Sequence, residues 1–378
     1  LGTGHAVDQV SDTLSDDELV LILYGDVPLI HIDTLADLIK QAEDGMALLT
    51  VHLDNPQGYG RIVRDSNGQV KNITEEKDAS DKIKKIHEVN TGILAVKANL
   101  LKAWLAQLDN SNAQKEYYLT DIIAMAVNDN YTVHTTQPDN EFEVMGVNNR
   151  VQLSELERFF QQQQANQLMT AGITLADPSR IDIRGQLTHG KDIFIDVNTV
   201  IEGNVSIGDN VSIGANCVIK DSKIADDVEI LPMSILDNAS IGKSSKVGPF
   251  ARLRPGAVLS DETHIGNFVE VKKSFIGTGS KVNHLTYIGD SLIGKKVNVG
   301  AGTITCNYDG ANKHKTVIED DVFIGSNSQL VAPVVIGRNT TVAAGATVTK
   351  DTEEDSLVIT RAPQKTVKNW RRPKKSKH

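Results

Sequence analysis

Four short stretches concentrate the side chains that could do chemistry. "FARLRPG" carries Arg252 and Arg254, and "FVEVKKS" carries Glu270, Lys272 and Lys273. "VNHLTYIGD" places His284 three residues before Tyr287. "TITCNYDGANKHKTVIE", Thr303 to Glu319, holds Asn307, Tyr308, Lys313 and His314. Arg254 and Lys272 are eighteen positions apart, so they make a phosphate seat if the chain returns to one place every eighteen residues. No like-spaced acid is expected to offset them. An imidazole, with an unperturbed pKa near ~6.5, can take a proton from an amine at neutral pH, which is the chemistry His284 offers. Earlier in the chain Asp26 ends the apolar run "LVLILYGD", where a buried strand presents a carboxylate to metal or phosphate. Glu75, Asn90 and Asn148 also follow or end apolar runs.

The elements that must position these residues follow from two different periods. From Ile195 an aliphatic residue recurs about every six positions: Ile201, Ile207, Ile213 and Ile219, then Ile224 and Ile230. The beat continues through Ile235, Ile241, Val247, Leu253, Leu259, Ile265 and Val271, then Ile276, Val282 and Ile288, then Ile293 and Val299. It resumes at Ile318, Ile324, Leu330, Ile336, Val342 and Val348. Hexapeptide repeats specify a parallel β-helix, in which three repeats make one triangular coil and stacked coils lie ~4.8 Å apart. Between Ile304 and Val317 no Ile, Leu or Val occurs, so the loop there leaves the prism. Inward positions are packing, and function must come from outward polar residues and from clefts between coils or subunits.

The first ~150 residues alternate strand and helix signals. "ELVLILYGDVPLI" is expected to be a buried parallel strand, "TLADLIKQAE" a helix and "MALLTVHL" a strand. "NTGILAVKANLLKAWLAQL" is expected to be a strand followed by a helix, and "TDIIAMAVNDN" a helix capped by Thr120 or Asp121. This pattern predicts a Rossmann-type, doubly wound α/β domain over 1–149. A Gln- and Glu-rich helix over 150–172 connects it to the β-helix over 173–363, and a basic tail, "KNWRRPKKSKH", closes 364–378.

A net charge of −10 argues against a nucleic-acid binder, and no apolar run reaches the ~18 residues of a membrane span. Two cysteines, Cys217 and Cys306, make no disulfide framework and suit a reducing cytoplasm.

Several stretches together resemble one family. They are "LGTGHA", "LYGDVPLI", "GYGRIVR", "EVNTGI", "EYYLTDII", "GVNNR", "GPFARLRPG", "NFVEVKK", "HLTYIGD", "NVGAGTITCNYDGANKHKT" and "NWRRP". The chain is similar over nearly its whole length to the bacterial bifunctional N-acetylglucosamine-1-phosphate uridyltransferase/glucosamine-1-phosphate acetyltransferases. The resemblance implies a left-handed parallel β-helix that moves acetyl from acetyl-CoA to the amine of glucosamine-1-phosphate. His284 matches the general base; Arg254, Lys272, Tyr287, Asn298 and Lys313 match sugar-phosphate contacts. Ala301, Asn307, Tyr308, Ser326, Ala344 and Arg361 match the acetyl-CoA groove.

The resemblance further implies that the first domain transfers uridylyl from UTP to N-acetylglucosamine-1-phosphate. Gly2, Thr3, Tyr24, Gly25, Asp26, Gly60, Glu75, Asn90 and Asn148 match its nucleotide-sugar site, with Asp26 and Asn148 as Mg2+ ligands. The resemblance also implies products that feed peptidoglycan and lipopolysaccharide precursors, and a cytoplasmic homotrimer. The family pattern begins roughly 80 residues earlier, with a Gly-rich phosphate loop, so uridylyl transfer is expected to fail in this chain alone. The alternative is a sugar nucleotidyltransferase whose β-helix serves assembly only. A zinc enzyme would need three converging histidines, and from Ile195 to Val348 there are only His264, His284 and, in the loop, His314.

Overall fold

In the computed structural model, which describes residues 1–372, the chain divides into two units, 1–160 and 161 onward. Part of the expected basic tail, 373–378, lies outside the described residues. The division falls inside one helix, Arg150–Thr170, rather than at its ends. Phe159 on that helix stacks on Phe142 of the first unit, 4.1 Å between centroids. Ala165 and Leu168 join the core of the second unit, and Gln161 there exchanges hydrogen bonds with the backbone of Ile183.

The first unit is a six-stranded sheet with helices on both faces. Its elements are α1 (Thr3–Asp8), β1 (Leu19–Ile22), α2 (Ile32–Gln41), β2 (Met46–His52), β3 (Arg61–Arg64), β4 (Val70–Thr74) and β5 (Glu88–Lys97). They are followed by α3 (Ala98–Leu105), α4 (Asp121–Asn128) and β6 (Val133–Thr136). The order is β4-β3-β5-β2-β6, with β1 also on β5. In β2, Met46 and Leu48 pack with Leu101, Trp104, Ile122 and Ile123 of α3 and α4, while Ala47, Leu49 and Val51 pack with Leu38 of α2. A strand covered on both faces is apolar at every position, which is why "MALLTV" shows no alternation.

Two expectations fail here. β1 is not a buried parallel strand: it pairs antiparallel with β5, Leu19 opposite Lys97, and Leu19 is exposed. An apolar run reports burial but not the direction of its neighbour, and only one edge of β1 is paired among the described residues. Neither Thr120 nor Asp121 caps α4 through its side chain; the Thr120 hydroxyl donates to Glu75 Oε1 at 2.9 Å instead.

The second unit is a parallel β-helix. The short strands pair in parallel from coil to coil, mostly at an offset of 17 or 18 residues: Ile201 with Ile219, Leu253 with Val271, Ile265 with Val282 and Ile324 with Val342. These inward residues form one continuous buried core. Burying each such side chain stabilises the prism by roughly 1.5–3 kcal/mol. Corners are turned by residues with φ near +55°, often Asn or Asp, as at Asn198, Asn216 and Asn327.

One position of the beat is corrected, and the point where the chain leaves it is located. Leu236, not Ile235, points inward: Leu236 is 0% exposed and pairs with Leu253, whereas Ile235 is 43% exposed. The five-residue step therefore falls between Leu236 and Ile241. Two adjacent aliphatic residues leave the period unable to choose, and the pleat admits only one of them. At the interruption the beat reaches Thr305, buried and in register with Leu330, while Ile304 faces outward. The Thr305 hydroxyl accepts a hydrogen bond from Gly289 N–H at 2.8 Å, so a polar residue is satisfied inside the core. The departure begins only after Cys306. The connection from Tyr287–Gly289 to Ser291–Ile293 is Asp290 alone, whereas the equivalent one from Ile304–Cys306 to Thr316–Ile318 runs from 307 to 315.

Candidate active sites

In the first unit most of the matched residues lie on connections around the sheet, with Asn90 inside β5 and Thr3 opening α1. The Asp26 carbonyl accepts from Val147 N–H at 2.9 Å, which brings the segment before Asn148 against the turn after β1. Gly146 lines that turn, since a Cβ there would lie 3.4 Å from Asp26 Oδ2. Gly25 faces open space. Asp26 and Asn148 are both exposed. A carboxylate and an amide are hard oxygen donors of the kind Mg2+ takes, and two protein ligands suffice where substrate phosphates and water complete the shell. The donor chemistry therefore fits a divalent cation.

A second group converges beside it. Asn90 N–H donates to Gly60 O at 2.8 Å, and Asn90 Oδ1 accepts from Gly92 N–H at 3.0 Å. Tyr24 lies so close over Gly92, whose φ is +84°, that any side chain there would strike its ring. Burial pushes the Tyr24 phenol up, and the carboxylates of Glu75 and Asp26 add to it. Glu75 accepts from Thr120, and the next residue back, Leu119, donates its N–H to Thr3 Oγ1 at 3.1 Å. That bond ties Gly2 and Thr3 to the same region.

In the β-helix the candidate residues occupy one corner and the faces on either side. His284 ends the strand Lys281–His284, directly one coil after Asn267. Its Nδ1 lies 2.8 Å from Asn267 Oδ1. An amide oxygen only accepts, so Nδ1 carries the hydrogen and Nε2 is left with its lone pair toward solvent. The corner column continues from His284 through Ala301, Ser326 and Ala344: Gly302 N–H donates to His284 O, Asn327 N–H to Ala301 O and Gly345 N–H to Ser326 O. Arg361 Nη1 donates to Ala344 O at 2.7 Å. The side chains that follow His284 along this corner, Ala301, Ser326 and Ala344, are small.

On the face after the corner, Arg254 and Lys272 stack as their spacing requires, in the register that pairs Leu253 with Val271. Arg254 is not uncompensated. Glu270 Oε1 accepts from Arg254 Nη1 at 2.7 Å, and its other oxygen lies 4.0 Å from Arg252. Glu270 sits diagonally on the pleat, sixteen positions from Arg254, so a search at eighteen passes over it. Its hydrogen bond raises the Arg254 guanidinium further above its usual range. Tyr287 follows Glu270 in register, and its hydroxyl is 3.5 Å from Asn307 Nδ2. Asn298 belongs to the other sheet, where it pairs with Lys281, so a single chain does not bring it to Arg254.

The loop from 307 to 315 is ordered by its own bonds. Asn307 is buried at its root, its amide donating to Asp290 Oδ2. Tyr308 and Lys313 form an antiparallel bridge, with Lys313 Nζ 4.1 Å from the Tyr308 ring centroid. His314 pairs with Asp309 at 2.6 Å. Asn267 escaped the sequence reading, which also named Glu270 without its pairing to Arg254, although the coil offset places Asn267 next to His284.

An α/β unit carrying glycine-lined connections, followed by a hexapeptide β-helix with an exposed histidine at one corner, has the organisation of a two-headed transferase. Its first unit is a nucleotidyl transferase and its second an acetyltransferase. Residues 1–142 match the nucleotidyl transferase family, 183–265 the GMPPB C-terminal domain and 315–350 the bacterial transferase hexapeptide (six repeats). The chain is 58% identical to the bifunctional protein GlmU of Marinobacter nauticus over 377 residues, 100% of this chain and 83% of that protein. It is 57% identical over 378 residues to the bifunctional protein GlmU of Methylococcus capsulatus, 100% of this chain and 82% of that one. Among solved structures, a Francisella novicida UDP-N-acetylglucosamine acyltransferase is similar at 17% identity with a TM-score of 0.32, covering 46% of this chain and 62% of its own, too low to bear on the reading. The chain belongs to the bifunctional GlmU family. It is an enzyme with acetyltransferase and uridyltransferase activities, and the family works with a divalent cation and acetyl-CoA. No helix among the described residues is long and apolar enough to cross a membrane.

Proposed function

We propose that acetyl transfer takes place at the His284 corner. The observation that carries this reading is the hydrogen bond from His284 to Asn267, which leaves Nε2 free to accept a proton. The amine of glucosamine-1-phosphate attacks the thioester carbonyl of acetyl-CoA, and Nε2 takes the proton that the nitrogen sheds. The carbon–sulfur bond breaks, and the proton passes to the departing thiolate. Arg254 and Lys272 bind the sugar phosphate, Glu270 orienting Arg254, with Tyr287, Asn298 and Lys313 as further contacts. Acetyl-CoA runs along Ala301, Ser326 and Ala344 toward Arg361, with Asn307 and Tyr308 at its side.

The working assembly is a homotrimer. At successive coils one corner carries Met233, Phe250, Phe268 and Leu285, all exposed and all with positive φ. Coils on either side place Asn198, Asn216, Gly302, Asn327 and Gly345 there. A bulky residue in that conformation costs ~1–2 kcal/mol that Gly avoids. An apolar ridge kept at that cost, next to His284, suits contact with another copy, and a neighbour can supply the Asn298 that one chain holds on a separate face.

The first unit is the part of the protein that holds the nucleotide sugar when uridylyl moves from UTP to N-acetylglucosamine-1-phosphate. Gly2, Thr3, Tyr24, Gly25, Gly60, Glu75 and Asn90 hold the nucleotide sugar, and Asp26 and Asn148 hold Mg2+. An ion held there would supply positive charge to offset that of the substrate phosphates. We assign 1–149 to this activity, 150–172 to the connection, 173–363 to acetyl transfer and 364–378 to a basic tail. The enzyme works in the cytoplasm, where its nucleotide substrates are made and where Cys217 and Cys306 stay as free thiols.

Thiol release from acetyl-CoA tests the acetyltransfer reading. Glucosamine-1-phosphate should support it, and glucosamine without the phosphate should need on the order of 10²-fold higher concentration, the scale of a lost charge-assisted phosphate contact of ~3 kcal/mol. Equal use of both sugars would remove Arg254 and Lys272 from phosphate binding.

A further inference from the structure

The loop from 307 to 315 is the only long departure from the coil beat between Ile195 and Val348, and it has no hydrophobic core of its own. Tyr308 is exposed, as are most of 308–315. Ordering each residue of such a loop costs ~1–2 kcal/mol. What offsets that cost is a network centred on one carboxylate. Asp309 Oδ1 accepts from the backbone N–H groups of Ala311 at 2.8 Å and Asn312 at 2.6 Å, and Oδ2 pairs with His314 Nε2 at 2.6 Å. Asp309 N–H closes the turn on Asn312 O at 3.2 Å, and His314 N–H bonds Asn307 O at 2.8 Å. The bonds from Asn312, His314 and Ala311 hold the Asp309 carboxyl far below its usual range.

The consequence for Lys313 is geometric. It lies between Asn312, whose N–H is held by Asp309, and His314, whose ring is held by the same carboxylate. Its ammonium group rests over the Tyr308 ring. A Lys side chain is otherwise a flexible point charge with ~2 kcal/mol of rotamer entropy to lose on binding. A backbone fixed on both sides, with the cation parked on an aromatic face, reduces that loss.

We propose that Asp309 and His314 form a clasp that sets the presentation of Lys313 and Tyr308, making both of them positioning residues for acetyl transfer. They do not touch substrate; they act through Lys313, which lies between them, and Tyr308, which precedes Asp309. The inference rests on the reading that Lys313 contacts the sugar phosphate.

The test is a set of full-length variants assayed by thiol release, with KM and kcat separated. Asp309→Ala and His314→Ala should each raise KM for glucosamine-1-phosphate roughly tenfold, with kcat changed less than threefold, as expected when an ordering cost is moved into substrate binding. Asp309→Asn keeps the Oδ1 acceptor for the two backbone N–H groups and should recover part of the loss. Melting temperatures should stay at the wild-type value, because the clasp lies outside the prism core. In a Lys313→Ala background, Asp309→Ala should add little further. Wild-type kinetics in Lys313→Ala would overturn the reading of Lys313 on which the clasp rests. A damaged Lys313→Ala enzyme alongside intact Asp309→Ala and His314→Ala enzymes would overturn the clasp alone, as would effects that simply multiply.

Discussion

His284 Nδ1 stands 2.8 Å from Asn267 Oδ1, one coil away, and that bond decides which ring nitrogen can receive a proton. Partners that orient a functional histidine typically matter by 10- to 100-fold. Asn267→Ala should therefore lower kcat for acetyl transfer on the order of 10-fold while leaving KM for acetyl-CoA unchanged. In a His284→Ala background the same substitution should do nothing more. Independent effects of the two changes would mean that Asn267 acts elsewhere.

The corrected register of the prism has its own test. Leu236→Ala opens a cavity in a continuous core and should cost ~2–5 kcal/mol. Ile235→Ala, one residue away on the outer surface, should cost under ~1 kcal/mol. Thermal unfolding of the two variants compares them directly, and the reverse order would restore Ile235 to the interior.

The apolar corner ridge should be needed for assembly. Phe250 and Phe268 stack with centroids 5.2 Å apart. Phe268→Glu places a charge in that stack, and light scattering should report a shift from trimer to monomer together with loss of acetyl transfer. A trimer that persists in this variant would move the interface to another face.

A partly buried ion pair, Arg64 with Glu88, ties the stability of the first unit to pH. Burial pushes the Glu88 carboxyl up, but hydrogen bonds from Arg64 and Thr50 and the charges of Arg64 and His52 outweigh it, so it sits below the usual carboxylate range. A depressed carboxyl contributes stability above its unfolded value of ~4.3, and that contribution is lost as pH falls through the lower folded value. Glu88→Gln should cost ~1–3 kcal/mol at pH 7 and almost nothing below the folded value. Urea unfolding followed by the fluorescence of Trp104, buried in this unit, measures the difference. A penalty that does not shrink in acid would show that the pair is not its source.

Much of the architecture could be read from spacing because a β-helix repeats its packing. The aliphatic beat locates the core almost throughout, and the coil length stacks Arg254 over Lys272 without any contact being seen. The reading failed where one position offered two equivalent residues, as at Ile235 and Leu236. It also failed where the partner lay diagonally, as with Glu270, or across a five-residue step, as with Asn267, seventeen positions before His284. Pairing direction was hidden for a different reason. Strand β1 looks the same in sequence whether its neighbour runs with it or against it, since only tertiary contacts carry that information. The loop was visible as an absence of aliphatic residues, but not its inner order. Nothing in the spacing says that Asn307 is buried at the root or that Asp309 gathers three donors.

The central claim is that His284 is the proton acceptor in acetyl transfer, and chemical rescue tests it most directly. His284→Ala should cut thiol release by ~10²-fold or more with acetyl-CoA binding retained, and added imidazole should restore part of the rate. A His284→Ala enzyme of near wild-type rate, or one equally slow with and without imidazole, would contradict it.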